Sequence, residues 1–317
     1  MSAMPWLTQA FVVLIALAVA PLFLGWINQC RAWLQNKSAP SIWQPYRIIH
    51  KLFHKEAVLA EQASPLFRLA PYVVFGSMVC AAAIIPSLGT HLPFSNAADA
   101  IALVGLLATA RVFMALAAMD VGTAFGSLGA RREMMIGFLA EPALLMVIFV
   151  ASLISSTTAL PAITDSLATR PLELYPSLAF TAVAFLLVLL AENARIPVDN
   201  PATHLELTMI HEAMLLEYSA RHLALMEWAA SLKLFNYACI GFALFAPWGL
   251  ATGRAETPLA LIAALPVLGL KLALAGAGLA LIETVSAKLR VFRAPEFLAT
   301  AFILAVLGLL MRLLLGS

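Results

Sequence analysis

The stretch SLAFTAVAFLLVLLAENARIPVDNPATHLELTMIHEAMLLEYS, residues 177–219, changes character at a single position. From Ser177 to Ala191 it carries no charge, and from Glu192 onward it carries Glu, Arg, Asp and His together with Pro197 and Pro201. The first part is suited to lipid and the second is not. The same alternation recurs along all 317 residues, 62% of them hydrophobic and 11% charged, at a mean hydropathy of +0.94. Such a composition excludes an ordinary soluble globule and predicts an all-α, polytopic integral membrane protein. A scan in windows of about 19 residues yields eight candidate spans: 6–27, 71–88, 100–119, 134–154, 177–194, 228–249, 258–282 and 297–315.

The connections leave no room for a second folded domain, so residues 1–317 are expected to form a single membrane domain. The first span follows MSAMPW, without Lys or Arg and without a small-residue cleavage site, and reads as a retained helix rather than a signal peptide. Thirteen Lys and Arg residues fall in alternate connections, about 28–70, 120–133, 195–227 and 283–296, against Arg170, Arg254 and Arg312 on the other side. The positive-inside rule then places those four loops in the cytoplasm and both termini across an inner (cytoplasmic) membrane. A net charge of +2 gives no reason to expect a nucleic-acid partner; the lipid bilayer is the partner that the composition requires. Cys30, Cys80 and Cys239 are scattered, so no metal or iron–sulfur site is expected in this chain, and any redox centre belongs to a partner.

Seven ionisable residues fall inside or at the ends of the spans: Arg111, Glu141, Glu192, Glu227, Lys233, Lys271 and Glu283. Each costs roughly 2.5–3.5 kcal/mol at a helix centre on insertion scales, so each requires compensation. Arg111 has no sequence neighbour that gives it a role and reads as a snorkelling or structurally paired cation. The other six, with both signs present, are expected to line a hydrated ion path. Lys271 and Glu283 lie on one helix about 18 Å apart and cannot pair with each other.

The loop segment SIWQPYRIIHKLFHKEAV, residues 41–58, sets Trp43, Ile48, Ile49, Leu52 and Phe53 toward one side of a helix and repeats Arg47, Lys51 and Lys55 every four residues. That pattern predicts an amphipathic helix in the membrane interface. In the opening stretch, Pro197 and Pro201 predict irregular backbone through IPVDNP, and the pattern turns helical again from Thr203, with His204, Thr208 and His211 on one side. The His and Glu spacing there matches no known metal-ligand set.

At these residues the chain resembles the membrane subunit shared by respiratory complex I (its subunit 1) and by formate hydrogenlyase and hydrogenase-4-type complexes (formate hydrogenlyase subunit 4, hydrogenase-4 component C). Glu192, Arg195, Pro197 and Asp199 fit that family's E-x-x-R-x-P-F-D, followed by Glu206-Leu207 and then by Glu217-Tyr218-Ser219 for E-Y-S. Glu227 and Trp228 resemble the Glu-Tyr that opens the next helix. Gln44, Lys51, Leu52, Lys55 and Glu56 match its Q-P…K-L…K-E segment, and Asp120, Arg132, Glu133 and Glu141 match the hydrogenase branch's D-x-G…R-E…E-P. The Tyr46-Arg47 to Phe53 run, Lys233, and Lys271 with Glu283 also resemble the hydrogenase branch. Where complex I has an E-A-E run this chain has Ala202, Thr203 and His204, and Ile48 stands where the family usually has Asp.

The resemblance implies a non-catalytic subunit of an oxidoreductase complex, coupling a peripheral electron-transfer arm to proton or sodium translocation. Gln44, Arg47, Lys51, Asp120, Arg132, Glu133, Arg195, Asp199, Glu206, Glu217 and Tyr218 would form the docking junction. Partners would be hydrogenase-like large and small subunits, holding a nickel-iron centre and iron-sulfur clusters, and antiporter-like membrane subunits. The alternative it implies is a quinone-chamber subunit of a quinone-reducing complex I relative. A stand-alone secondary transporter is a third possibility, disfavoured by the lack of an internal repeat.

Overall fold

A computed structural model of the protein describes residues 4–169, 176–199, 209–251, 258–287, 289 and 293–315. Among them are eleven α-helices: α1 Met4–Leu34, α2 Gln44–Phe53, α3 Pro65–Ile84, α4 Ala100–Asp120, α5 Ala124–Ser155, α6 Leu160–Thr169, α7 Pro176–Glu192, α8 His211–Leu215, α9 Ala220–Phe245, α10 Pro258–Val285 and α11 Ala294–Leu315. The described residues contain no β-strand, only the isolated bridges Gly89–Ala251 and Asp99–Ala159. Seven of these helices are long and apolar enough to cross a membrane, and α7 is a shorter apolar helix of 17 residues. Each of the eight hydropathic segments falls on one of them, so the chain is an all-α, multi-pass membrane protein.

The helix ends lie beyond the hydropathic segments where charge has lowered local hydropathy. The expected loop 120–133 is the clearest correction, because α5 already begins at Ala124, capped by the Thr123 hydroxyl, which accepts from Gly126 N–H at 3.3 Å. Arg131, Arg132 and Glu133 are therefore helical residues. The amphipathic loop helix is α2, which buries Pro45, Ile49 and Leu52 against α9 and α1 and leaves Arg47 and Lys51 exposed. The helix expected from Thr203 is described only as α8, with Met209 and Ile210 non-helical before it; His204 and Thr208 lie outside the described residues. The buried Asp199 carboxylate fixes that start by accepting from Ile210 N–H at 3.2 Å and His211 N–H at 3.3 Å.

Prolines inside two spanning helices explain two cross-helix contacts. Pro71 in α3 has no N–H, so the carbonyl of Phe67, four residues earlier, loses its intrahelical donor. The Tyr218 hydroxyl donates to that carbonyl at 3.1 Å while its ring stacks on Phe67 at 4.1 Å. Burial and the nearby Asp120 push the Tyr218 phenol above its ordinary value, which keeps it a neutral donor. Pro21 likewise frees the Leu17 carbonyl in α1, and the indole N–H of Trp228 in α9 donates to it at 3.1 Å. These bonds tie α3 and α1 to the segment that runs from Tyr218 into α9, and satisfy backbone that lipid cannot.

Tyr218→Phe is expected to lower stability by about 1–2 kcal/mol, because it keeps the ring and strands a buried carbonyl. Pro71→Ala restores an intrahelical donor to Phe67, so the cost of Tyr218→Phe should shrink in that background. Thermal unfolding of the four members of this double-mutant cycle measures the coupling.

Candidate functional site

The site is built where α4, α5, α7 and α9 meet. On α5, Glu133, Gly137 and Glu141 follow one another at four-residue spacing and share one stripe of the helix. Arg111 of α4, only 4% exposed, crosses that stripe at Gly137. A Cβ at position 137 would meet the Arg111 Cδ at 2.7 Å and Cζ at 2.9 Å, so the absence of a side chain there admits the guanidinium. Arg111 Nε lies 3.6 Å from Glu133, Nη1 bonds Glu141, and Nη2 bonds Glu192.

Glu192 is the last residue of α7. The helix stops there because Ala194 adopts a left-handed conformation, φ 49°, and Arg195 N–H returns to the Leu190 carbonyl at 2.9 Å. This turn separates two charges by direction: Glu192 joins Arg111, and Arg195 pairs with Glu283 of α10 at 3.2 Å. Lys233 of α9 reaches the second Glu192 oxygen at 3.0 Å. Fully buried Tyr237, one turn further along α9, faces the same carboxylate. Three carboxylates thus surround two cations, and the Glu141 side chain, 33% exposed, is the least enclosed of the three.

A cavity of 770 Å³ adjoins this cluster, with Glu192 and Lys233 on one wall. Its other walls come from α1, α2, α8 and the 193–199 turn, and they carry Arg31, Gln44, Arg195, Asp199, His211 and Glu212. Glu227 of α9 also lines it, near Glu212 and His211. Glu283 stands behind the cavity wall, held by Arg195 and by Arg31 at 3.5 Å. Burial lowers the Arg195 guanidinium from its ordinary value, and the Glu283 carboxylate opposes that fall.

The six residues expected to form one ion path therefore divide. Glu141, Glu192 and Lys233 are brought together, Glu227 lines the same cavity as Glu192 and Lys233, and Glu283 belongs to a separate Arg31–Arg195 group. Lys271 stands apart: its ammonium donates to the Ala246 carbonyl at 2.6 Å, just past the end of α9, where a cation complements the helix dipole. Arg111, read from sequence as a snorkelling or structurally paired cation, is structurally paired, with three carboxylates around it at the centre of the cluster. Its carboxylate partners lie 22, 30 and 81 residues away in the chain, so no local pattern could reveal it. The signal that was available is the Glu133-Gly137-Glu141 stripe.

The expected docking residues divide as well. Gln44, Arg47 and Lys51 are exposed on α2, and Glu217 is half-buried. Asp120 accepts from Ser64 N–H at 2.8 Å, and Arg132 donates to the Met209 carbonyl at 2.9 Å. Glu133, Arg195, Asp199 and Tyr218 are buried inside the subunit and hold its own elements together. Glu206 lies outside the described residues. No group of three or more His, Cys, Asp or Glu among the described residues is arranged to hold a metal ion.

The family model described as NADH dehydrogenase matches residues 8–314. The chain belongs to the NADH dehydrogenase family. It is 34% identical to formate hydrogenlyase subunit 4 of Escherichia coli (strain K12) over 297 residues, covering 93% of this chain and 94% of that protein. It is 38% identical to hydrogenase-4 component C of the same organism over 255 residues, 77% of this chain and 79% of that one. These relatives place it on the hydrogenase side of the family. The fold is shared with a chain of the membrane-bound sulfane sulfur reductase, an archaeal respiratory membrane complex, at a TM-score of 0.84 and 20% identity over 97% of this chain and 99% of that one.

For this NADH dehydrogenase family member, the close passage of Arg111 over Gly137 leads to a direct test. Gly137→Ala should displace the guanidinium and lower stability by roughly 1–3 kcal/mol through overpacking. Arg111→Met should cost more, about 3–5 kcal/mol, because it leaves buried carboxylates uncompensated. Thermal unfolding of the purified variants in one detergent gives both values.

Proposed function

We propose that this chain is the membrane-anchoring and coupling subunit of a complex I-like, energy-converting hydrogenase or formate hydrogenlyase type complex. The reading places it in the inner membrane with both termini on the non-cytoplasmic side and α2, α8 and the 193–199 turn facing the cytoplasm. A peripheral arm of hydrogenase-like large and small subunits, carrying the nickel-iron centre and iron-sulfur clusters, docks on that face, and antiporter-like subunits continue the membrane arm. The chain itself performs no redox chemistry.

The observation that carries this reading is the contact between the 770 Å³ cavity and the buried Arg111–Glu133–Glu141–Glu192–Lys233 cluster. With all five groups ionised, three acids against two bases leave one negative charge uncompensated. Burial makes that state costly, and taking up a cation, a proton or a sodium ion, relieves it. A charge change in a docked partner reaches Glu192 through the cavity. Arg111, whose charge is permanent, then holds the remaining carboxylates as occupancy shifts toward Glu141. Gln44, Arg47 and Lys51 supply the exposed docking contacts. Arg195 and Asp199 shape the turn between the two.

Glu192→Gln preserves size and removes the titratable charge. The complex should assemble and its peripheral arm should reduce artificial acceptors at the parental rate, while ion translocation in sealed vesicles falls by roughly an order of magnitude or more. Parental pumping by an assembled variant assigns Glu192 a structural role.

A second reading, a quinone-chamber subunit, is favoured by one observation: the cavity falls within the roughly 300–1,000 Å³ typical of small-molecule sites, and Leu24, Ile48, Ile49 and Leu234 give it apolar walls. The loss of the E-A-E acids at Ala202 and His204 favours the first. Quinone-site inhibitors should therefore leave turnover of the intact complex unchanged, and strong inhibition at low concentration would select the second reading.

A further inference from the structure

We infer that the paired N-terminal ends of α3 and α9 form a binding site for the phosphate headgroup of an anionic phospholipid, separate from the cavity and the charge cluster. The two helices pack against each other and both begin on the face that carries α2. Arg68 in the first turn of α3 and Arg221 in the first turn of α9 are exposed, and neither has an acidic partner among the described residues. His222, next in the chain to Arg221, is 2% exposed and sits edge-on at 5.9 Å to Tyr72, one turn beyond Arg68. His222 Nδ1 is buried without a hydrogen-bond partner. The imidazole therefore has unspent hydrogen-bonding capacity beside two uncompensated guanidinium groups.

The backbone adds to the same field. The Ser219 hydroxyl is turned away to Val58, meeting its N–H at 2.9 Å and its carbonyl at 2.6 Å, so the first turn of α9 has no side-chain cap. The start of α3 is already met by the Ser64 hydroxyl and by the Asp120 carboxylate on Ser64 N–H, so it is the uncapped first turn of α9 that favours an anion. What selects a lipid over a free anion is the surface next to the arginines. Leu69, 54% exposed, and Tyr72, 47% exposed, continue along α3 to an open surface over Gly76 and to exposed Cys80. An acyl chain can follow this apolar stripe while its phosphate stays at Arg68 and Arg221. A soluble acidic segment would have no use for that stripe.

The test uses the intact complex exchanged into phosphatidylcholine nanodiscs with phosphatidylglycerol as the probe, read by native mass spectrometry of bound lipid. The parent should retain phosphatidylglycerol, and raising the salt should release it without affecting phosphatidylcholine. Arg68→Gln with Arg221→Gln should weaken retention roughly 30-fold, since each interfacial cation contributes about 1 kcal/mol toward an anionic lipid. Arg68→Lys with Arg221→Lys should keep it, and Arg131→Gln, an exposed arginine on α5, should change nothing. Inorganic phosphate should not compete at millimolar concentration. Equal retention by the parent and the Gln pair, salt-independent retention by the parent, or displacement by inorganic phosphate would each overturn the assignment.

Discussion

The arrangement depends on keeping the Arg111 guanidinium inside an apolar helix bundle. An unpaired cation there would be prohibitive, and its permanent charge cannot be relieved by losing a proton. Three elements are consequently fixed around it: α5 must present Glu133 and Glu141 on either side of a glycine, α7 must end where Glu192 can meet it, and α9 must bring Lys233 to balance Glu192. The register between α4, α5, α7 and α9 follows from satisfying one side chain. A single carboxylate partner would have neutralised Arg111. The supply of three leaves an excess acid, and that excess separates a group able to change its charge from a simple structural ion pair.

The remainder of the molecule delivers this cluster to an accessible surface. The left-handed turn at Ala194 directs Glu192 into the bundle and Arg195 toward Glu283, so one tight turn serves two charge groups. The cavity opens between them and is closed on one side by α2. The carbonyls freed by the prolines inside α1 and α3 are met by Trp228 and Tyr218, which hold the entry to α9, and with it Lys233, against the two helices. Backbone groups freed by proline thus become the attachment points of the segment that the charge cluster needs in place.

Hydropathy alone located the eight apolar helices because each must bury or expose to lipid a continuous apolar length, a property that is local in sequence. It misplaced the start of α5, where Arg131 and Arg132 lower the window average although the helix continues through them. It gave no sign of α6, a ten-residue helix too short to register. The candidate site was legible by residue type but not by grouping: Glu141, Glu192 and Lys233 could be singled out as costly charges, whereas the partner that unites them lies on another helix. Lys271 shows the same limit from the other side, since a half-buried lysine that satisfies a helix terminus has the same sequence signature as one on an ion path. Glu133 and Tyr218 matched family motifs and were expected at a docking surface; both are buried and serve the subunit's interior.

The central claim is that the excess carboxylate around Arg111 changes its protonation when the peripheral arm is reduced. Reduced-minus-oxidised infrared difference spectroscopy of the intact complex reads this directly in the carboxyl stretching region. The account predicts a protonated-carboxyl band that responds to reduction, shifts in heavy water and is lost or displaced in Glu141→Gln and Glu192→Gln. A carboxyl region identical in the parent and both variants would contradict it.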